Sequence, residues 1–428
     1  MNMAGGKSLC EARLLTSPIS EPLPMMGLMT APRSGPVRVQ LGKGRYILTE
    51  ILWLERSDIV LAGMGMGEEG TQLFMPRPLN QIEDDGVLTE ICEYLKEEDK
   101  YERQPDRNLD VLFSEHSWSA GFIWARYPGG RHATYLPRYD REIETIAHIS
   151  SGTQFEREVT VAEIYGDTDE KIGSRHWQFP DRPLARQATR IESINGNTVT
   201  IADPLLLNIA STVPASFAKW DHLSNVGVED LYLVFPENPY FGHHVESGFN
   251  GIYFTGVHDG NVHNVLVDGL TVRNPTEHSL SFNTQATKSV YTNSTVWTTP
   301  TLDQHAGANH QNLYDNVTVH VTPDQTAEDG VPRYDLYKAG GAGYWQPGHG
   351  RYNTTWNLKV NFTGGASAAQ EVEILAGSEG PDARIVGMHG NRPIGLNHKP
   401  APYVELLNSP VTLAPSLYAY QLSQRAQP

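Results

Sequence analysis

NVLVDGLTV, residues 264–272, is the first of three short segments that share one pattern, and the other two are SVYTNSTV at 289–296 and NLYDNVTV at 312–319. Each is a run of β-forming residues broken by one turn residue, which stands three positions before a closing valine. The break falls at Gly269, Asn293 and Asn316, and so recurs after 24 and then 23 residues. The second half of the chain therefore contains a repeat.

A repeat of roughly 20 to 30 residues made only of short strands and turns predicts a β-solenoid, because one coil cannot bury its apolar face until another stacks on it. Asp230 and Asn357 extend the register, 39 residues before Gly269 and 41 residues after Asn316. Each of these intervals is one coil plus an excursion of about fifteen residues. Such excursions usually project from one face of a solenoid and build the binding site.

The composition restricts the class of protein. Of the 428 residues, 39% are hydrophobic, and no apolar run approaches the roughly 18 residues of a membrane span. We therefore expect a soluble protein with no membrane partner. The net charge of −17 repels nucleic acid, so a nucleic-acid partner is not expected either. The two cysteines, Cys10 and Cys92, indicate no disulfide framework.

The pattern also divides the chain. Residues 1–36 have no periodicity and are interpreted as an N-terminal arm, and residues 37–428 as the solenoid domain. Within that domain, residues 78–190 depart from the repeat and are interpreted as an insertion or subdomain. Ser416 is a plausible N-cap for a short C-terminal capping helix. The first residues lack a basic start followed by an apolar run, so no export signal is visible.

GKGRYILTEILWLERSDIVLAGMGMGEEGTQLFMP, residues 42–76, alternates strands and turns and closes with glycines. This stretch resembles the opening coils of the pectin-lyase-like superfamily of right-handed parallel β-helices, and the resemblance also covers the coils from about residue 223 to 362. It implies an all-β fold, a right-handed parallel β-helix, and activity on carbohydrate. The resemblance does not select a reaction.

Gly348-His349-Gly350 resembles a glycine-flanked histidine of the polygalacturonases in that superfamily. The other marks of that family, an Asn-Thr-Asp phrase, an Asp-Asp pair in the cleft and a following Arg-x-Lys, are absent. The Trp-x-Asp-His phrase of pectate lyases is absent too. These departures leave a pectin substrate unsupported.

Three excursions, at 239–250, 303–310 and 334–351, carry residues suited to sugar chemistry. Cleavage of a uronic-acid-containing glycan by β-elimination needs a cation to neutralise the carboxylate, a base for the proton at C5 and an acid for the leaving oxygen. Lysine and arginine suit the first task, and histidine the second. We therefore predict a polysaccharide lyase with five catalytic residues: His244, His310, Lys338, His349 and Arg351.

Other residues of the same excursions are assigned to the substrate. Tyr344 and Trp345 offer flat faces for sugar rings, and Tyr337 is the candidate proton donor. The complete set assigned to substrate binding is Tyr337, Tyr344, Trp345, His243, His305 and Glu246.

Two alternatives remain open. A glycoside hydrolase would need two carboxyl groups about 5 to 9.5 Å apart, and Glu246, Asp303 and Asp335 are the candidates. A non-catalytic glycan-binding or adhesive β-helix, including a homo-oligomeric one, is the other. Asp268 and Asp315 alternate with apolar positions and are interpreted as solvent-facing strand residues.

No dense acidic loop is present, so no metal ligand is assigned, although Ca²⁺ held by Glu246 and Asp259 stays an open alternative. The expected partner is a polysaccharide or oligosaccharide. That class of substrate favours a secreted or periplasmic location.

Overall fold

The structure is a computed structural model that describes 18 stretches of the chain. They are residues 35–82, 116, 120–128, 148–149, 162–166, 171–173, 185–207, 215–216, 221–238, 246–258, 265–276, 278–283, 286–305, 307–338, 346–348, 350–364, 369–376 and 380–425. The predicted N-terminal arm therefore lies almost wholly outside the described residues. Within the described ranges, no helix has both the length and the apolar character needed to cross a membrane.

The chain is mostly β-strand, and it divides into two compact units. The first unit contains residues 1–144 and 220–261, and the second contains residues 145–219 and 262–428. The prediction of an all-β protein with parallel sheets is confirmed.

Nine strands of the first unit form three parallel sheets of three strands each. The chain visits the three sheets in the same order three times, so each pass adds one strand to each sheet. The strands, in chain order, are Val37–Gln40, Gly44–Ile47, Leu52–Leu54, Ile59–Ala62, Thr71–Phe74, Ile123–Arg126, Val226–Glu229, Tyr232–Val234 and Ile252–Thr255. A short parallel pair, Leu223–Ser224 with Val257–His258, and a 3₁₀ helix at Leu79–Gln81 complete this unit.

Apolar side chains from these sheets form one core. Leu54, Leu61 and Trp124 are fully buried in it, and the indole N–H of Trp124 donates to Thr255 Oγ1 at 2.8 Å. Trp124 belongs to the segment interpreted as an insertion. That segment therefore contributes at least one regular core strand to the first unit.

The second unit contains two larger parallel sheets. The six-strand sheet consists, in spatial order, of Leu266–Asp268, Val290–Thr292, Leu313–Asp315, Thr354–Trp356, Arg384–Val386 and Tyr403–Glu405. The five-strand sheet consists of Thr271–Val272, Thr295–Val296, Thr318–Val321, Lys359–Phe362 and His389–Gly390.

Smaller sheets and a helix complete the second unit. Leu280–Phe282 pairs in parallel with Leu302–Gln304. A four-strand sheet contains Gln325–Thr326, Pro332–Tyr337, Val372–Ala376 and Ile394–Asn397, and only its first pair is antiparallel. The remaining elements are an antiparallel pair, Ile191–Asn195 with Thr198–Ile201, an antiparallel sheet of His148–Ile149, Ala185–Arg186 and Ala215–Ser216, and a C-terminal helix, Leu417–Arg425.

The sequence repeat coincides with the strand register. Val290 lies between Leu266 and Leu313, so the three repeat segments occupy neighbouring strands in the predicted alignment. The turn residue of each repeat has a left-handed backbone, with φ of 72° at Gly269 and 49° at Asn293 and Asn316. Glycine and asparagine are the residues that adopt this conformation most readily, which is why they recur there.

Side-chain amides connect these turns. Asn316 Nδ2 donates to Asn293 Oδ1 at 2.8 Å, and Asn293 Nδ2 donates to Asp268 Oδ1 at 2.8 Å. The repeat therefore fixes both the backbone corner and a ladder of hydrogen bonds that runs across the strands.

Asp315 is fully buried, which corrects its interpretation as a solvent-facing residue. The start of the C-terminal helix covers it: Leu417 N donates to Asp315 Oδ1 at 2.7 Å, and Ser416 Oγ donates to Asp315 Oδ2. Ser416 also accepts a hydrogen bond from Ala419 N at 3.0 Å, as its predicted N-cap role requires. Negative charge is favourable at a helix N-terminus, so Asp315 anchors the helix.

We expect Asp315→Ala to lower the free energy of unfolding by about 3 kcal/mol, because buried donors at the helix start lose their acceptor. Asp268→Ala is the matched control, since Asp268 has the equivalent place on the next strand but is exposed. Its expected cost is about 0.5 kcal/mol. Guanidinium unfolding measures both values. Equal losses in the two variants would contradict the anchoring role of Asp315.

Candidate functional site

Several residues assigned from the sequence lie outside the described residues: His243, His244, Tyr344, Trp345, His349 and Asp259. Their roles stay predictions. Glu246 is described, is partly buried and belongs to the first unit. The other described members of the predicted site belong to the second unit.

Tyr337 and Lys338 end the Pro332–Tyr337 strand and point to different environments. Tyr337 is buried in the core of the second unit, where its hydroxyl donates to Thr355 Oγ1 at 3.0 Å. Burial raises the pKa of Tyr337, so the side chain is neutral and satisfied. Lys338 is exposed. The structure therefore gives Tyr337 a packing role and leaves Lys338 accessible.

His310 and Arg351, both predicted to be catalytic, line one cavity of about 170 Å³. This volume is small beside the roughly 300–1,000 Å³ of sites for drug-sized ligands, and it suits a single sugar ring. The complete lining is Glu163, Ile164, Leu205, Leu206, Leu207, His310, Gln311, Arg351 and Tyr352.

Backbone hydrogen bonds hold the polar side of this cavity together. Arg351 N donates to Ile164 O at 2.8 Å, and Gln311 N donates to Arg351 O at 3.1 Å. Gly350 allows the close approach, since a Cβ at this position would lie 2.6 Å from Ile164 O and 3.1 Å from His310 Cβ. The glycine beside the predicted catalytic arginine therefore has a steric reason.

Buried amides position the loops on either side of His310. Asn309 Nδ2 donates to Gly348 O at 2.9 Å, and Asn353 Nδ2 donates to Asn309 Oδ1 at 3.1 Å. Asn312 N in turn donates to Asn353 Oδ1 at 2.8 Å. These bonds satisfy backbone and side-chain groups that water cannot reach. They also fix the part of the chain that carries His310.

His310 is 1% exposed, and its Nε2 has no hydrogen-bond partner among the described residues. Burial lowers the pKa of His310 to about 4, so the imidazole is neutral at pH 7. A neutral imidazole nitrogen without a partner can accept a proton. His310 therefore has the chemical state of a general base.

Arg351 brings a positive charge to the same cavity. Its Nε donates to Asp382 Oδ2 at 2.7 Å, and its guanidinium lies 4.7 Å from the centre of the Tyr352 ring. The terminal nitrogens of Arg351 have no hydrogen-bond partner among the described residues, which leaves donors for a ligand carboxylate. Glu163 adds a carboxylate to the lining, so an anionic ligand group fits only on the Arg351 side.

A second polar cluster contains His278, Asp303 and His305. Asp303 Oδ2 lies 3.0 Å from His278 Nδ1 and 2.9 Å from His305 Nδ1, and it accepts a hydrogen bond from Ser281 Oγ at 2.9 Å. Burial would raise the pKa of Asp303, but the hydrogen bonds from both imidazoles lower it well below its ordinary value. Asp303 is therefore ionised and holds both rings.

Sequence reasoning named His305 and Asp303 but missed His278. A signal was present, because His278 precedes Asp303 by 25 residues, which is one repeat interval. Strand pairing places Ser281 opposite Asp303 and so brings the preceding turn beside it. Glu163 and residues 205–207 of the cavity carried no comparable signal, since they lie outside the repeat.

Searches against protein-family models and among curated proteins found no match for this chain.

His310 should make the protein less stable in mild acid. Its pKa is about 4 in the folded chain, because burial disfavours the imidazolium, and about 6.5 in the unfolded chain. Between these values the unfolded state binds the proton and the folded state does not. Stability is therefore full above about pH 6.5 and is lost as the pH falls toward 4, by about 3 kcal/mol for this group alone.

Urea unfolding of the parent and of His310→Gln at pH 7 and pH 4.5 measures this effect. We expect the parent to lose about 2 kcal/mol more than the variant between the two pH values. Burial also lowers the pKa of His398, so both proteins lose some stability in acid and only the difference reports on His310. Equal losses would show that His310 is not a buried neutral imidazole.

Proposed function

We propose that the stacked strands of each unit are coils of a right-handed parallel β-helix, related to the pectin-lyase-like superfamily. The support is the chain path: in the first unit it passes through three parallel sheets in a constant order, and in the second a left-handed corner residue recurs in register. Crossovers between parallel strands are right-handed in about 98% of known cases, which gives the proposed hand.

We infer that the protein is a polysaccharide lyase that cleaves a uronic-acid-containing glycan by β-elimination. The observation that carries this proposal is the cavity in which the neutral His310 and the cationic Arg351 share one lining. Elimination needs these two functions on one sugar ring, a base and a charge neutraliser. Such a substrate suits a secreted or periplasmic protein.

In the proposed reaction, the uronate carboxylate binds the terminal nitrogens of Arg351, which stabilises the charge that develops on the carboxylate as the C5 proton leaves. His310 Nε2 takes that proton. The electron pair of the C5–H bond forms the C4–C5 double bond, and the C4–O bond to the leaving sugar breaks. We assign protonation of the leaving oxygen to the hydroxyl of Tyr352, because Tyr352 lines the cavity and Tyr337 does not.

The low pKa of His310 is compatible with this role. A base works best when its pKa is near the working pH, and a value of about 4 describes the chain without substrate. An anionic sugar beside the imidazole favours the imidazolium and so raises the pKa of His310 when the substrate binds. The substrate thereby makes His310 a stronger base.

A glycoside hydrolase is the weaker alternative. Its nucleophile or base would have to be an accessible ionised carboxylate, whereas Asp303 is 1% exposed and is occupied by two imidazoles and a hydroxyl. Burial does raise the pKa of Asp335, as a general acid requires. The structure offers no described partner for Asp335 that meets the requirement on the nucleophile.

The experiment is a digestion of alginate, glucuronan, pectin and glycosaminoglycans by the full chain. Elimination leaves an unsaturated sugar that absorbs in the ultraviolet, so we expect absorbance to rise together with reducing ends on at least one of these substrates. Reducing ends without absorbance would replace the lyase with a hydrolase. Binding without either product would favour the non-catalytic alternative.

A further inference from the structure

The His278–Asp303–His305 cluster has the composition of a metal site. One ligand atom from each of the three residues lies within 4.8 Å of the other two. Two are imidazole nitrogens and one is a carboxylate oxygen, which is the donor set that proteins use for Zn²⁺ and related divalent metals. The cluster belongs entirely to the second unit and shares no residue with the lining of the proposed lyase cavity.

The distances are close to those of a tetrahedral site. A metal with bonds of about 2.0–2.1 Å holds its ligand atoms about 3.3 Å apart, whereas the nitrogen–oxygen distances here are 3.0 Å and 2.9 Å. Each imidazole therefore needs to move outward by only a few tenths of an ångström. The side chains of His278 and His305 are 32% and 19% exposed, which leaves room for this shift.

The carboxylate is the fixed member of the set. Asp303 is 1% exposed, lies within the Leu302–Gln304 strand and accepts a hydrogen bond from Ser281 on the paired strand. Such an outer hydrogen bond orients a ligating carboxylate. The two more mobile imidazoles can then adjust around a metal that Asp303 has already positioned.

We propose that His278, Asp303 and His305 bind one divalent transition metal of the zinc type. Ca²⁺ is disfavoured, because it takes six to eight oxygen ligands and this cluster offers mainly nitrogen. Three protein ligands leave a fourth tetrahedral position open to water or to a ligand. The proposal differs from the Ca²⁺ alternative raised by the sequence in the metal, in the residues and in their place in the chain.

The test is calorimetric titration of the metal-stripped full chain with Zn²⁺ in the absence of sugar. We expect one site with a dissociation constant in the micromolar range or below, and no comparable binding of Ca²⁺. His278→Ala and His305→Ala, each checked for folding by circular dichroism, should each weaken Zn²⁺ binding by about 100-fold or more. Visible absorbance of Co²⁺ bound to the parent should report tetrahedral geometry.

His320→Ala is the matched control. His320 is also a partly exposed histidine of the second unit, but it stacks on Trp297 with ring centres 3.8 Å apart and is not part of the cluster. Its Zn²⁺ affinity should equal that of the parent. Absence of Zn²⁺ binding, or equal affinity in the parent and in both cluster variants, would overturn the proposal. Because no sugar is present, either result leaves the lyase proposal to its own assay.

Discussion

His310→Gln is expected to lower kcat/KM for β-elimination by about 10³-fold, within the range usually lost with a general base. Glutamine keeps a polar side chain of similar size in the buried position but cannot take a proton at neutral pH. His320→Gln is the matched control, since His320 lies outside the cavity lining. It should retain the parent rate. Ultraviolet absorbance of the unsaturated product measures all three proteins.

The pH profile distinguishes a catalytic His310 from a merely structural one. The pKa of the free base appears in kcat/KM, so the parent profile should fall on its acid side near pH 4 rather than near 6.5. In His310→Gln, the residual activity should lose this acid limb. An unchanged rate, or a reduced rate with an unchanged acid limb, would remove His310 from the role of base.

Arg351→Gln should lower kcat/KM on a uronate polymer by about 10²-fold or more, because it removes the charge that stabilises the carboxylate as C5 loses its proton. Methyl esterification of the substrate should shrink this loss, since the ester carries no charge to neutralise. Arg351→Lys should restore part of the rate, because lysine keeps the charge but not the bidentate geometry.

Arg384→Gln is the control for Arg351. Both guanidinium groups lie over the Tyr352 ring, at 4.7 Å for Arg351 and 5.2 Å for Arg384, but only Arg351 lines the cavity. Arg384→Gln should therefore leave the elimination rate near that of the parent. Equal losses in the two variants would show that the ring contact matters and the cavity charge does not.

The strand register could be predicted from the sequence because it depends on local chemistry. Gly269, Asn293 and Asn316 mark corners that require a left-handed backbone, and few residue types tolerate that conformation. Alternating apolar residues on either side of the corners then fix the strands. The C-terminal helix and its N-cap at Ser416 were predictable for the same reason.

The candidate site was predictable only in part. His310 and Arg351 follow the repeat, whereas Glu163 and residues 205–207 reach the cavity from segments with no repeat pattern. The burial of Asp315 was missed because it depends on a helix that begins about a hundred residues later. Alternation within one strand says which side a residue faces, but not what covers that side.

A crystal structure of His310→Gln with an oligosaccharide of the preferred uronic acid tests the central claim most directly. We predict one sugar ring in the cavity, with its carboxylate on the terminal nitrogens of Arg351 and the hydrogen at C5 facing residue 310. An oligosaccharide bound elsewhere on the protein, with no sugar in this cavity, would contradict the claim.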